Sequence, residues 1–177
     1  MSPIREDFAG QRQLRFRAQG KMLHLFKQKG ESTHQVYLKV LTYALYGEQY
    51  ELEIDPRVDC KYQPHVASLD LTGEVSFWAH CGEISLDQIT YVLKHSAAEE
   101  VVLVREHNAL MLPGYRQADL ADFDELDLEP MAAYLKRHIH YRYTKGKLRM
   151  VVFRGLDEWF QPDDVEVENR NFHLYAF

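Results

Sequence analysis

The chain of 177 residues has few cysteines, no long apolar run and no excess of basic residues. Its two cysteines, Cys60 and Cys81, are too few for the disulfide framework of a small secreted fold, and no second pair is present for a four-cysteine zinc site. No apolar stretch approaches the roughly 18 residues that a membrane span requires. The first residues are polar and lack the apolar core of a signal peptide. We therefore expect reduced thiols, no membrane insertion and a cytoplasmic location.

The charge is acidic overall and unevenly distributed. A formal net charge of -6 argues against a general nucleic-acid binder, which usually carries a strongly basic face. Residues 1–30 contain two acids and seven basic residues. The basic residues are Arg5, Arg12, Arg15, Arg17, Lys21, Lys27 and Lys29. Residues 117–130 and 157–168 each contain six acids and no base. Solvated surface charge is the simplest interpretation, and a basic head that touches phosphate or an acidic stripe of another copy is the alternative.

The length fits one domain with a substantial core, and the composition is that of an ordinary globular protein. Residues 1–18 have little periodicity, so we expect a loose basic N-terminal arm. Residues 19–177 contain no repeat and no linker, and we expect them to form a single α/β domain.

The hydrophobic pattern predicts the order of helices and strands. Strands are predicted at residues 21–27, 50–54, 62–69, 75–81 and 101–104, and helices at 34–46 and 86–95. The turn at Asp70 and Gly73 favours a hairpin, and the wholly apolar run at 101–104 predicts a buried strand parallel to an earlier one. Further along, we predict a helix at 130–136, a hairpin of 138–143 with 147–153, and a last strand at 165–177.

Residues 30–104 contain Glu31 beside the first helix, Pro64-His65 on a strand, Asp70 with Gly73 in the turn, and Trp78-x-x-Cys81-Gly82 on the next strand. In these features the stretch resembles the YaeQ-like branch of the PD-(D/E)XK nuclease superfamily. This stretch is about 75 of the 177 residues. The resemblance implies a restriction-endonuclease-like α/β fold, with a mixed sheet of about five to seven strands and flanking helices.

The residues that the resemblance would assign to catalysis are replaced. Nucleases of this kind hold a divalent ion, usually Mg²⁺, with an Asp and a Glu on adjacent strands, and a Lys assists the chemistry. The corresponding positions here are His65, His80 and Gln88. Because neutral imidazole is a poor ligand for Mg²⁺, we expect a degenerate site and no enzyme activity. Asp70, Glu83 and Glu31 are the acids that could rebuild a Mg²⁺ site.

A changed metal is an alternative. His65 and His80 on adjacent strands, with His34 or Glu31 on the covering helix, form a donor set suited to Zn²⁺, Mn²⁺ or Fe²⁺. With nine histidines in the chain, chance replacement is the simpler interpretation. Cys81 faces away from His80 because adjacent strand residues alternate, which favours a core residue over a nucleophile.

Two later patterns have both a binding and a structural interpretation. Residues 138–143 alternate basic and aromatic side chains, as a surface for single-stranded nucleic acid does, but a half-buried strand explains them as well. Trp159-Phe160 could anchor a partner or cover the core.

Three functions therefore remain open. The first is a degenerate nuclease-like protein that acts as a binding or assembly module, with a protein partner or a second copy favoured over nucleic acid. The second is an active, divergent metal-dependent nuclease that uses His65, His80, Glu31 and Asp70. The third is a structural subunit of a larger bacterial or phage assembly.

Overall fold

The computed structural model describes residues 13–106, 147–153, 156 and 172–176. Its strands and helices are β1 (Gln13–Ala18), β2 (Lys21–Phe26), α1 (Thr33–Tyr46), β3 (Glu53–Ile54), β4 (Val66–Leu69), β5 (Val75–Cys81), α2 (Leu86–His95), β6 (Glu100–Glu106), β7 (Lys147–Phe153) and β8 (Phe172–Ala176).

Six strands form one mixed sheet in the order β3-β4-β5-β6-β7-β8, and β1 and β2 form a separate antiparallel ribbon. β5, β6 and β7 run parallel, while β3–β4, β4–β5 and β7–β8 are antiparallel. The predicted α/β class, the hairpin and the buried parallel strand are confirmed. β6 is apolar over most of its length because a parallel strand between two others has both faces covered.

Among the described residues, α1 lies on one face of the sheet and α2 lies on the other. Alternate strand residues divide between two buried clusters, so that Phe77 packs on the side of α1 and Trp78 packs on the side of α2. On α1, Val40 and Leu41 are fully buried, and on α2 Ile89 is nearly so. Within the described ranges, no helix combines the length and apolar character needed to cross a membrane.

The ribbon of β1 and β2 packs on the outside of α1. Leu14, Phe16 and Ala18 are buried in the α1 cluster, and the Phe16 ring meets the Tyr37 ring edge-on at 6.1 Å between centroids. Here the structure differs from the predicted loose arm, because residues 13–18 form a strand. The alternation of three apolar residues is short and is interrupted by arginines, and packing on α1 contributes its buried face. Residues 1–12 of the predicted arm lie outside the described residues.

Two predicted strands are shorter than expected, since β3 and β4 begin at Glu53 and Val66. A loop lies between them, in which the Gln63 side chain bonds the backbone of Val58 and Cys60 at 2.7–3.0 Å. These bonds take the place of a strand ladder. α2, β5 and β7 have the predicted bounds, and residues 172–176 of the predicted last strand form β8. Residues 165–171 and 177 lie outside the described residues. The predicted helix at 130–136, the strand at 138–143 and Trp159-Phe160 lie outside the described residues.

We expect Ser32→Ala to lower the free energy of unfolding by about 1 kcal/mol. Ser32 is the N-cap of α1, and its hydroxyl accepts the Gln35 N–H at 3.1 Å. Urea denaturation followed by circular dichroism measures the loss. Ser85→Ala, the matched change at the N-cap of α2, should cost a similar amount. An unchanged denaturation midpoint for Ser32→Ala would contradict the role of the cap.

Candidate functional site

Polar side chains gather at the carboxyl ends of β5 and β6, beside the first turn of α1. The Gln35 amide nitrogen donates to the Cys81 carbonyl at 3.0 Å, and His34 Nδ1 donates to Glu106 Oε2 at 3.0 Å. Ligand sites of open α/β sheets commonly lie at the carboxyl ends of parallel strands. We therefore take this edge as the candidate site.

Two clefts flank the start of α1, and Gln35 lines both. One has a volume of about 480 Å³, and its wall includes Glu31, Lys39, Asp55 and His65. The other has a volume of about 390 Å³, and its wall includes His34, Gly82, Arg105 and Glu106. Both volumes are in the range of small-molecule sites.

His65 and His80 lie opposite each other, at the open end of the hairpin. The pairing of Val66 with Ala79 fixes this register, and the two ring centroids are 4.4 Å apart. The Cys81 N–H donates to His65 Nδ1 at 2.8 Å, so the proton of the neutral His65 ring is on Nε2. His80 Nε2 donates to the Glu83 carbonyl at 2.7 Å, which places the His80 ring proton on Nε2 as well.

Both imidazoles are held in the neutral form. Burial lowers the pKa of His65 to about 3, and the neighbouring His80 and Lys39 act in the same direction. Burial also lowers the pKa of His80, although its bond to the Glu83 carbonyl partly opposes the shift. At neutral pH the site therefore presents two uncharged rings at the positions where the resemblance predicts two carboxylates.

The Gln35 amide connects this pair to α1. Its nitrogen lies 3.0 Å from the Cys81 carbonyl and 3.2 Å from His65 Nε2. Because His65 Nε2 carries a proton, it is not an acceptor for that nitrogen. Gln35 satisfies the Cys81 carbonyl in this orientation, and the His65 Nε2–H is left for an acceptor that enters the cleft.

An ion cluster forms the floor of the same cleft. Lys39 is 2% exposed, and its Nζ contacts Glu31 Oε1 and lies 2.8 and 2.9 Å from the two carboxylate oxygens of Asp55. Glu31 Oε2 accepts the Gln28 N–H at 2.9 Å. Asp55 has a positive φ of 52°, a conformation that few residues other than glycine adopt, and its N–H bonds the His65 carbonyl at 2.8 Å. The backbone at Asp55 is thus held in a strained conformation beside both Lys39 and His65.

The second cleft contains a buried arginine. Arg105 is 3% exposed, and its Nη1 donates to the Gly82 carbonyl at 2.9 Å. Burial lowers the pKa of Arg105, and the charge of Glu83 opposes that shift. Gly82 has φ of 97°, which a glycine adopts without strain and which turns the chain at the end of β5.

The six residues predicted for the site lie in five places. His65 and His80 are in contact, Glu31 lies in the adjoining cluster with Lys39, and His34 is paired with Glu106 in the other cleft. Gln88 is part of the capping box of α2 with Ser85. Asp70 lies in the turn at the far end of the hairpin, where bonds led by the Thr72 hydroxyl lower its pKa.

Metal binding stays a prediction. In the part of the chain that the structure describes, no group of three or more His, Cys, Asp or Glu residues is arranged to hold a metal ion. A ligand role for His65 through Nε2 would require the ring proton to move to Nδ1 and the bond from Cys81 N–H to break. His80 retains a lone pair on Nδ1.

The structure places Cys81 in the core, as predicted. It is fully buried, its Sγ lies 3.6 Å from Thr42 Oγ1, and burial raises the pKa of its thiol to about 12. A thiol with such a pKa is a poor nucleophile at neutral pH.

Lys39, Asp55, Gln35 and Arg105 were missed by the sequence analysis. Two of them carried a signal, because Lys39 stands inside the apolar face of a helix and Arg105 follows directly on an apolar strand. A lysine at a buried helix position needs acidic partners, so Lys39 predicts acids close to its helix. Gln35 and Asp55 have no comparable signal, since both look like ordinary surface residues.

The described fold is a mixed α/β sheet with one helix on each face. It is similar to the crystal structure of the YaeQ protein from Xanthomonas axonopodis pv. citri, with a TM-score of 0.57 and 16% sequence identity over 94% of this chain and 90% of that chain. It is also similar to the YaeQ protein from Pseudomonas syringae, with a TM-score of 0.53 and 14% identity over 87% of this chain and 81% of that chain. At these identities the likeness shows the fold alone. No protein-family model matches the chain, and no curated protein sequence matches it.

We expect His65→Asn to weaken the dependence of the free energy of unfolding on pH below about 6.5. The pKa of His65 is about 3 in the folded protein and 6.5 as its ordinary value. Protonation therefore favours the unfolded chain, and stability that is present above pH 6.5 is lost as the pH falls towards 3. Between about pH 6.5 and 4.5, the titration of His65 should lower the free energy of unfolding of the wild type by about 2 kcal/mol.

Asparagine keeps an acceptor for the Cys81 N–H and does not titrate, so the variant should lose less stability over this interval. Thermal or urea denaturation at several pH values measures the difference. His24→Asn, a change of an exposed histidine on β2, serves as the control and should follow the wild type. Parallel profiles for wild type and His65→Asn would show that the imidazole of His65 is not held neutral.

Proposed function

We propose that this chain is a catalytically degenerate PD-(D/E)XK nuclease-like protein that acts as a binding or assembly module. The contact between the neutral rings of His65 and His80 is the observation that carries the proposal. It supports the assignment of these two positions to the site that holds Asp and Glu in a cutting enzyme.

The chemistry of the cleft does not fit a Mg²⁺-dependent cleavage reaction. Mg²⁺ prefers anionic oxygen ligands, and neither imidazole supplies one. The acids beside the pair, Glu31 and Asp55, are both bonded to Lys39. A histidine with a pKa near 3 is also a weak general base at neutral pH, so His65 is poorly suited to activate water.

The outer face of the ribbon is the binding surface that we favour. Its cross-strand pairs are Gln13 with Phe26, Arg15 with His24, and Arg17 with Met22. All six side chains are exposed, including 52% of Phe26 and 43% of Met22. Residues 13–30 contain no acid. Arginine and exposed apolar side chains together are typical of protein interfaces.

The charge of this face fits an acidic partner. The chain itself contains suitable sequences in residues 117–130 and 157–168, each with six acids and no base. A second copy of the chain, or a protein with a similar acidic segment, is therefore the partner that we favour. Nucleic acid is the alternative ligand, because Phe26 and His24 lie among the arginines and flat rings can stack on bases.

An active metal-dependent nuclease and a structural subunit of a larger assembly remain the rival functions. The nuclease would need His80 and His65, with Glu31, to hold a transition metal, because Asp70 lies at the far end of the hairpin. The structural subunit would use the ribbon for contacts between copies without binding another partner.

We expect no cleavage of plasmid DNA, single-stranded DNA or RNA above background with Mg²⁺, Mn²⁺ or Zn²⁺, because Glu31 and Asp55 are both bonded to Lys39 and His65 is a weak base at neutral pH. Gel electrophoresis after long incubation at neutral pH measures this. His65→Ala and His95→Ala are the paired variants, of which only the first alters the cleft, since His95 is exposed on α2. Cleavage by the wild type that is lost in His65→Ala and kept in His95→Ala would establish the active nuclease instead.

We expect the double variant Arg15→Glu/Arg17→Glu to weaken binding of an acidic partner by about tenfold or more, because it reverses the charge of the ribbon face. A labelled synthetic peptide of residues 117–130 is the probe, followed by fluorescence anisotropy at several salt concentrations. Light scattering of the whole protein reports self-association in parallel. Both signals should fall as the salt concentration rises.

Lys61→Glu/Lys94→Glu makes the same change in net charge on the α2 side of the sheet and should leave binding unchanged. If both double variants lose the same amount of peptide binding, the effect comes from the overall charge of the protein, and a specific binding surface on the ribbon is contradicted. Binding of an oligothymidine of 20 nucleotides that depends on Arg15 and Arg17, without binding of the peptide, would make nucleic acid the ligand.

A further inference from the structure

The cluster of Lys39, Glu31 and Asp55 has an unusual arrangement for a surface cleft. Three anionic oxygens point at one cation: Glu31 Oε1 and both carboxylate oxygens of Asp55 contact Lys39 Nζ. The fourth oxygen, Glu31 Oε2, is occupied by the Gln28 N–H. The three oxygens therefore surround a single position, and a lysine ammonium fills it.

We propose that the Lys39 ammonium is the resident cation of this cleft, standing where the Glu31 and Asp55 carboxylates could otherwise hold a divalent ion. The inference goes beyond the proposed function, because it concerns the cation of the cleft whether or not the ribbon binds a partner. It replaces the metal that the nuclease resemblance implies with a cation that is part of the chain.

Charge and burial support this role for Lys39. An ammonium that is 2% exposed is stable only with anionic partners, and the two carboxylates supply them. The three groups together carry one net negative charge. Replacing the ammonium by a divalent ion would make the cluster neutral, so the cavity left by a shortened Lys39 should favour a divalent cation.

The two carboxylates are also held in place more firmly than those of an exposed ion pair, as a site for a bound cation requires. Both carboxylates are fixed from the backbone side, Glu31 by the Gln28 N–H and Asp55 by its left-handed conformation next to the His65 carbonyl. Three carboxylate oxygens in a cleft open to water make a partial coordination shell that water molecules complete, which suits Ca²⁺ or Mn²⁺.

The test compares binding of Mn²⁺ to four versions of the full chain by calorimetry and by the electron paramagnetic resonance signal of free Mn²⁺. The wild type should show no saturable site. Lys39→Ala should gain one, and Lys39→Ala/Asp55→Asn should bind about tenfold more weakly or not at all, because it lacks a charged ligand. Lys94→Ala, which removes an exposed lysine on α2, should behave like the wild type.

If Lys39→Ala fails to fold, its refolding with and without Mn²⁺ or Ca²⁺ provides the second measurement. Recovery of the thermal transition with either ion, but not in the variant that also carries Asp55→Asn, supports the proposal. A wild type that binds Mn²⁺ as tightly as Lys39→Ala would overturn it, and so would a Lys39→Ala variant that neither binds the ion nor is rescued by it. The assays of cleavage and of the ribbon do not alter Lys39, so the proposed function can fail or stand separately.

Discussion

The buried ammonium of Lys39 is the constraint around which the cleft is organised. A charge that is 2% exposed on the inner side of α1 requires anions at fixed positions, and the chain supplies them from two separate segments. Glu31 comes from the turn before the helix, and Asp55 comes from the end of β3. The same requirement explains why Asp55 keeps a strained backbone conformation. The three ionic groups thus tie the helix, the first strand of the large sheet and the following loop together.

The histidine pair follows from this arrangement. His65 begins the strand after the loop that Asp55 opens, and its carbonyl and ring nitrogen are both used by backbone N–H groups. Burial and the nearby ammonium both disfavour a positive imidazole, so His65 and His80 contribute dipoles and no net charge. The side chains of the cleft are polar, but the positive charge of Lys39 offsets part of the negative charge of Glu31 and Asp55.

The sequence predicted the parts of this fold that depend on local pattern. Both helices could be located from apolar spacing, and the hairpin that joins β4 to β5 could be located from its turn. The contact of His65 with His80 followed from that hairpin. The bond between Lys39 and Asp55 could not be predicted, because it depends on a loop whose path is set by a positive φ at Asp55 and by the contacts of the Gln63 side chain. β1 was missed because its burial depends entirely on α1.

The burial of Cys81 makes its thiol a probe for conformational opening near the site. Its sulfur lies beneath α1, one residue from His80, whereas the thiol of Cys60 is only partly covered. A thiol reagent therefore meets the two cysteines on very different timescales. The partly exposed Cys60 should react in the folded state, whereas the fully buried Cys81 should react only after a local or global opening exposes it. The ratio of the two labelling rates therefore measures how often the structure around Cys81 opens.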